Sequence, residues 1–370
     1  LSLKGQGLFV TLFERSDDDE VAMAMVNRAP APNALMAIQF NIRKAGNPMK
    51  KLSIALICAM LLCAPFAAAE TVNVGVIQFA THPSLDNCTE GFLLGLRESG
   101  YIEGENLAVD LQNAMADMGN SDLQAKTMVS KKMDMLVGVA TPAAMSAYAA
   151  TKEYGIPVVF VAVSDAVACG IVLSNEEPGT NCTGASDVLN LDKQVEMIRA
   201  FLPEAKVIGV IYTTSEPNSL THLSKLQGIA PAYGFAVESI GITSASEVAG
   251  AAASLIAKGV DCINNFTDNN VVENLMLVLH AADEAGIPVF GSEVEQVVNG
   301  CLATQGIDYI ELGKACGRMA AEILNGDASP ETMPVQLIDE CTPAYNSLVA
   351  AKLNIPLPEA YAGAEDVAAE

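Results

Sequence analysis

The residues predict an α/β chain of two similar lobes, each a doubly wound parallel sheet, joined by a hinge that the chain crosses several times. Three observations carry this. Apolar strands and amphipathic helices alternate without a break over residues 71–163, the pattern of parallel strands linked by right-handed crossovers. The alternation restarts near residue 206 and repeats its landmarks in the same order. After residue 300 the remaining pieces are too few for a third domain, so they are expected to complete the first two sheets.

Each element follows from its residues. Residues 71–79 place Val72, Val74 and Val76 in alternation before a fully apolar middle, the mark of a strand entering a core. Ser84 or Asp86 can cap the next helix, which carries Phe92, Leu93 and Leu96 and stops near Gly100. Residues 107–111 alternate as a second strand, and Asn120 or Ser121 opens a helix through Met128. Over residues 136–144 an uncharged run meets Thr141-Pro142. Thr is a good N-cap and Pro suits the first helical position, so a buried strand runs straight into a helix. Residues 156–163 form a fourth strand ending at Ser164-Asp165.

The second round maps onto the first. Residues 206–212 echo 72–78, and Glu216-Pro-Asn-Ser-Leu220 stands where His82-Pro-Ser-Leu85 stood. Residues 235–239 supply the second strand, and Ser244-Ala-Ser-Glu247 reads as a capping box. Residues 260–266 echo 135–140, Asp268-Asn-Asn270 echoes Thr141-Pro-Ala143, and residues 287–290 echo 156–159, ending at Ser292-Glu293. Beyond lie a strand at 301–307, an amphipathic helix at 309–324, a strand at 335–338 and a last helix capped by Thr342-Pro343. Residues 70–187 with about 307–330 then make lobe 1, and 188–291 with about 335–356 make lobe 2. The crossings are expected near residues 184–190, 292–306 and 329–340. The acidic, Ala-rich residues 357–370 are expected to be a flexible tail.

Composition narrows the classes of function. With 51% hydrophobic and 17% charged residues the chain has ample core and is not disordered. A formal charge of −24 serves solubility and argues against nucleic acid, which needs basic patches. Residues 49–69 have the layout of a cleaved signal peptide: Lys50 and Lys51, an apolar run, and small residues before Glu70. That run is too short for a comfortable membrane span, and no later run could cross a bilayer. Leu62 ahead of Cys63 argues against lipidation. A periplasmic protein is expected, with residues 1–48 a mis-called start or a disordered extension. Of the nine cysteines, Cys58 and Cys63 fall in the leader, and the odd remainder is no disulfide scaffold. Cys169 and Cys182 flank a loop and are either bridged or separate thiols; Cys88, Cys262, Cys301 and Cys316 read as core. No cysteine pair has zinc-ligand spacing and the three His are scattered, so neither metal nor cofactor is expected.

Several motifs then combine: Val76-Ile-Gln-Phe79 with His82-Pro-Ser-Leu-Asp86, Gly95-Leu-Arg-Glu-Ser-Gly-Tyr101, Ala140-Thr-Pro-Ala-Ala144 and Phe160-Val-Ala-Val-Ser-Asp165. Thr183-Gly-Ala-Ser-Asp187, Thr267-Asp-Asn269 and Gly306-Ile-Asp-Tyr-Ile-Glu-Leu-Gly313 follow. Together, over residues 71–355, they resemble the ABC-transporter substrate-binding proteins of the tryptophan/tyrosine type, within the type I periplasmic binding fold. The resemblance implies a Venus-flytrap protein that captures a small ligand, often an aromatic amino acid, and delivers it to an ABC permease. Gly291-Ser-Glu-Val-Glu295 is more acidic than that family's pattern.

For an amino acid held between lobes, the chemistry assigns the residues as follows. The carboxylate would meet the helix start at Thr141, Ala143 and Ala144, unless Thr141 only caps its own helix. The ammonium would meet Asp165, Asp268 and Asn269, with Asp268 alternatively an N-cap and Asp165 a turn residue. Gln78, Phe79, His82 and Tyr212 would wall the side chain, although Phe79 also suits a core and His82 a surface loop. Ser164, Ser292 and Asp308 are further candidates at strand ends and crossings. An enzyme is disfavoured: there is no Gly-x-Ser-x-Gly elbow, Walker loop or HExxH. The alternative from another class is a periplasmic sensory subunit that presents its ligand to a chemoreceptor or kinase. A monomer is expected in either case.

Overall fold

The computed structural model describes residues 71–368. The expected leader at 49–69 and the extension at 1–48 lie outside the described residues. In the first lobe β1 (Val72–Gln78), β2 (Leu107–Asn113), β3 (Met135–Val139), β4 (Val158–Val161) and β5 (Cys182–Asp187) alternate with α1 (Pro83–Glu98), α2 (Met118–Ser130) and α3 (Thr141–Thr151). The second lobe begins with α4 (Leu191–Phe201), β6 (Val207–Thr213), α5 (Pro217–Ile229), β7 (Ala236–Ile242) and α6 (Val248–Ala257). It continues through β8 (Cys262–Asn264), α7 (Asn269–Glu273), α8 (Leu275–Ala285), β9 (Val289–Phe290), α9 (Val294–Val298) and β10 (Ala303–Gly306). Helix α10 (Tyr309–Leu324) and β11 (Gln336–Ile338) return to the first lobe. Strand β12 (Thr342–Tyr345), α11 (Ser347–Leu353) and β13 (Glu365–Asp366) finish the second.

The first sheet has the order β2-β1-β3-β4-β5-β11 and is parallel throughout. Every residue of β3 and β4 is buried, as helices on both faces require. The second sheet runs β7-β6-β8-β9 in parallel. It continues into β10 through two bonds, Leu302 N donating to Val289 O (2.6 Å) and Gly291 N to Ala303 O (3.0 Å). Strand β12 then pairs antiparallel with β10 and carries β13 on its far side. The orders 2-1-3-4-5 and 7-6-8-9-10 are the same unit used twice. One apolar core fills the first lobe, and two clusters fill the second.

Four departures from the sequence reading have physical causes. Residues 182–187, which overlap the first crossing expected near 184–190, are a fully buried strand. They escape a hydropathy pattern because they are small: a Cβ on Gly184 would lie 2.0 Å from the Phe160 carbonyl oxygen. Residues 336–338 pair with β5 in the first sheet, so the second-lobe share of the tail starts at β12. Thr342-Pro343 is strand rather than helix cap, and the last helix is capped by Asn346, whose side chain accepts from Leu348 N and Val349 N, both at 3.1 Å. Residues 357–368 do not fray. Tyr361 packs on Phe201 with ring centroids 6.0 Å apart, and β13 pairs with β12. Cys169 and Cys182 are separate thiols, while Cys88, Cys262, Cys301 and Cys316 are buried as core residues.

Helices α1 and α10 meet backbone to backbone, which places the start of α1 at the cleft. Gly91 and Gly95 face Gly313 and Gly317, and a Cβ on any of the four would come within 2.4 Å of a carbonyl oxygen of the other helix. Gly95 and Gly313 are therefore packing residues.

Candidate functional site

Carboxyl ends of strands from both lobes meet around a small, partly open cavity of about 20 Å³, the place where α/β folds hold ligands. Its floor on the first lobe is built by two turns. At the end of β3, Gly138 lets α3 start directly on the strand, since a Cβ there would lie 2.4 Å from Ala144 Cα. The turn residue Ala140 takes φ 76°, ψ 156°, and Ala162 at the end of β4 takes φ 57°. Both line the cavity. Left-handed backbone at residues other than Gly costs about 1–3 kcal/mol each and concentrates at binding sites.

Ala140, not Thr141, is the N-cap of α3, so the Thr141 hydroxyl caps nothing. It is buried, lines the cavity and has no partner. His82 Nδ1, Asn218 Oδ1 and Thr267 Oγ1 are in the same state. Buried polar atoms are normally hydrogen-bonded. Four unpaired ones around one cavity, two from each lobe, make it the candidate place for a polar ligand.

One pole of the cavity is acidic. Asp187, at the end of β5, accepts from Ser164 Oγ (3.2 Å) and Tyr309 OH (3.1 Å). Burial pushes its carboxyl up to about 6, against the pull of the two hydroxyls. Glu293 reaches in from the second lobe and accepts from Ser84 Oγ at the start of α1. Burial, and then the charge of Glu295, pushes Glu293 up to about 8. Beside them Asn87 Nδ2 donates to Glu295 Oε1 at 2.7 Å, a second tie between lobes. Among the described residues no Lys or Arg lines the cavity.

The other pole stands on Glu216, the buried N-cap residue of α5. Its Oε2 accepts from Asn269 N (3.1 Å), Asn269 Nδ2 (2.6 Å) and Asn218 Nδ2 (3.1 Å). Burial and the neighbouring Asp268 carboxylate raise its pKa. Asn269 Oδ1 in turn faces His82 Nε2 across the cleft at 3.4 Å. Burial lowers the His82 imidazole to about 4, so it is neutral.

Of the residues read from sequence, the cavity brings together His82, Thr141, Ser164 and Asn269. The others lie behind it. Gln78 is spent on Ala80 O, Asp86 and Thr89, and Phe79 belongs to the core. Ala143 is buried in the core beneath α3. Asp165 is the turn residue, accepting from Ala168 N (2.9 Å). Tyr212 lies against Gly241 on β7, Ser292 binds Asn265 O (2.7 Å), and exposed Asp308 caps α10. Asp268 accepts from Thr213 N, Thr213 Oγ1, Ser219 Oγ and Val271 N, all within its own lobe. It is a structural cap, with nothing left for a ligand. Asp268→Ala should therefore lower the melting temperature, each lost bond to the carboxylate being worth about 1.5–3 kcal/mol. Ligand affinity of the folded fraction, measured by calorimetry, should stay within threefold or so of wild type.

Asp187, Glu293, Asn218 and Tyr309 were not singled out from sequence. The available signal was position: Asp187 ends a strand in the first crossing as Asp165 ends its neighbour, and Glu293 belongs to the unusually acidic Gly291–Glu295 segment. Among the described residues no group of three or more His, Cys, Asp or Glu could hold a metal ion.

Two lobes of like topology, closing strand ends around a polar cavity, define a hinged small-molecule binding protein. Residues 73–366 match the family described as ABC transporter substrate binding protein, and the chain belongs to that family, one of binding proteins rather than enzymes. It is 41% identical over 268 residues to the tyrosine-binding protein of Clostridioides difficile (strain R20291), covering 72% of this chain and 76% of that one. It is similar to the solved ABC domain in complex with L-Trp from Streptococcus pneumonia, with TM-score 0.77 and 32% identity over 80% of this chain and 99% of that one. The ligand-free, open structure of a substrate binding protein with adhesive properties from Clostridium difficile is 38% identical, over 80% and 98% of the chains, with TM-score 0.61.

Proposed function

We propose that this chain is the exported solute-binding component of an ABC import system, capturing one aromatic amino acid between its lobes and handing it to a membrane permease. The observation that carries the reading is the cavity itself: four buried polar atoms without partners, contributed equally by the two lobes. In this reading the ligand ammonium lies between Asp187 and Glu293. Its carboxylate takes the Thr141 hydroxyl and the first-turn amides of α3, which helix geometry leaves unpaired.

Ligand-gated closure follows from the charges. Burial raises the carboxyls of both Asp187 and Glu293, and an ammonium between them favours their ionised forms and so stabilises the closed cleft. A ligand that binds the closed form better shifts the population toward it. Higher structural similarity to the L-Trp complex than to the ligand-free, open relative, despite lower sequence identity, supports a closed form here. The names of the tyrosine-binding and L-Trp-bound relatives support the ligand class, and the leader-like residues 49–69 support export.

The test is a thermal-shift screen of the amino acids followed by solution scattering. A saturable rise in melting temperature with tyrosine or tryptophan, with a smaller radius of gyration on binding, is expected. If no amino acid produces either change, the assignment is wrong.

A further inference from the structure

The pole built on Glu216 presents a directional hydrogen-bond pattern that the charged end of an amino acid does not use. Glu216 Oε2 accepts from the Asn269 backbone N–H at 3.1 Å, so this oxygen is an acceptor whether or not the carboxyl is ionised. Asn269 Nδ2 and Asn218 Nδ2 both lie against it, at 2.6 and 3.1 Å, and Asn218 Nδ2 also donates to Thr267 O at 3.1 Å. Turning either amide over would set oxygen against oxygen, so both orientations are determined by the network. Asn269 Oδ1 then accepts from His82 Nε2–H at 3.4 Å. With its proton on Nε2, neutral His82 carries a bare lone pair on Nδ1.

The consequence is that His82 Nδ1 from the first lobe and Asn218 Oδ1 from the second are both acceptors. Both residues line the cavity, and both atoms are buried without a partner. An acceptor pair of this kind is satisfied only by an N–H or O–H group. The ammonium has its own partners at the other pole, where Glu293 feels the charges of Glu295 and Asp187, whereas Glu216 feels that of Asp268.

We propose that His82 Nδ1 and Asn218 Oδ1 are specificity-determining acceptors that read a hydrogen-bond donor on the ligand side chain, selecting a phenol or an indole over a bare phenyl ring. The inference rests on the amino-acid reading above. A pocket with buried acceptors rejects a ligand lacking the donor because those acceptors stay unpaired.

The experiment is calorimetric titration of the wild-type chain with L-tyrosine, L-tryptophan and L-phenylalanine, repeated on His82→Ala and Asn218→Ala. The wild type should bind tyrosine or tryptophan at least about tenfold more tightly than phenylalanine. Each variant should shrink that ratio by weakening the donor-bearing ligand and sparing phenylalanine. A residue that merely supported closure would weaken all three ligands alike and leave the ratio unchanged, which would overturn the proposal. A wild-type phenylalanine affinity equal to the better of the other two would overturn it without any variant. Failure of the wild type to bind any of the three would instead overturn the proposed function, and this inference with it.

Discussion

Asp187→Asn should weaken binding of tyrosine or tryptophan by roughly ten- to a hundredfold, the loss of one charge-assisted bond to the ammonium. The fold should survive, because Ser164 and Tyr309 hydroxyls can turn to suit an amide as they now suit the carboxylate. The pH dependence separates this role from a packing role. Burial holds the Asp187 carboxyl at about 6, and a bound ammonium favours its ionised form and so lowers that value. Binding then expels a proton at and below pH 6. Affinity contributed by Asp187 is complete above pH 6 and is lost as pH falls through it. Glu293, at about 8, adds a dependence of the same sign at higher pH. The measurement is therefore the difference between wild-type and Asp187→Asn affinities from pH 8 to 5, by calorimetry. It should narrow steadily below pH 6. A gap that stays constant would show that Asp187 does not meet the ligand charge.

Gly95→Val should abolish folding or cost well over about 3 kcal/mol, beyond ordinary overpacking. Even the first carbon of a side chain at 95 would lie 2.3 Å from Lys314 O, 2.9 Å from Lys314 Cα and 3.0 Å from Gly317 Cα. All three atoms are backbone, so nothing can swing aside; α1 and α10 would have to part. Because α1 carries His82 and Ser84 to the cleft, any surviving protein should also lose ligand affinity. Gly228→Ala is the matching control. That glycine is exposed on α5 with nothing within 4 Å of a built Cβ, and Ala there should stabilise by about 0.5–1 kcal/mol. Urea unfolding of the two variants reads both outcomes. Equal stabilities would mean that the helix contact at Gly95 is not made.

Much of the architecture was legible because it rests on local regularities. Apolar runs such as 135–139 and 158–161 announce buried strands, and their ordered recurrence after residue 206 announces a second copy of the unit. Thr141-Pro142 announces a helix start and does open a helix at the cleft; the first helix, expected to be capped by Ser84 or Asp86, starts instead at Pro83 with His82 as its N-cap. Strand β5 was not legible, since Thr183-Gly-Ala-Ser-Asp187 is small and polar and becomes a core strand only beneath α10, far along the chain. The site was legible in part. Four of the expected residues line the cavity, yet Asp268 and Asp165, also at carboxyl ends of strands, cap a helix and a turn.

By itself the order of residues determined the class of fold, its duplication, and the strand ends at which a ligand belongs, because periodicity and capping act over a few neighbours. Which acids face the cavity, which way the Asn218 and Asn269 amides point, and how His82 carries its proton were decided by tertiary structure alone. Those properties depend on groups such as His82 and Asn269, or Ser84 and Glu293, that lie roughly 200 positions apart and meet only when the lobes close.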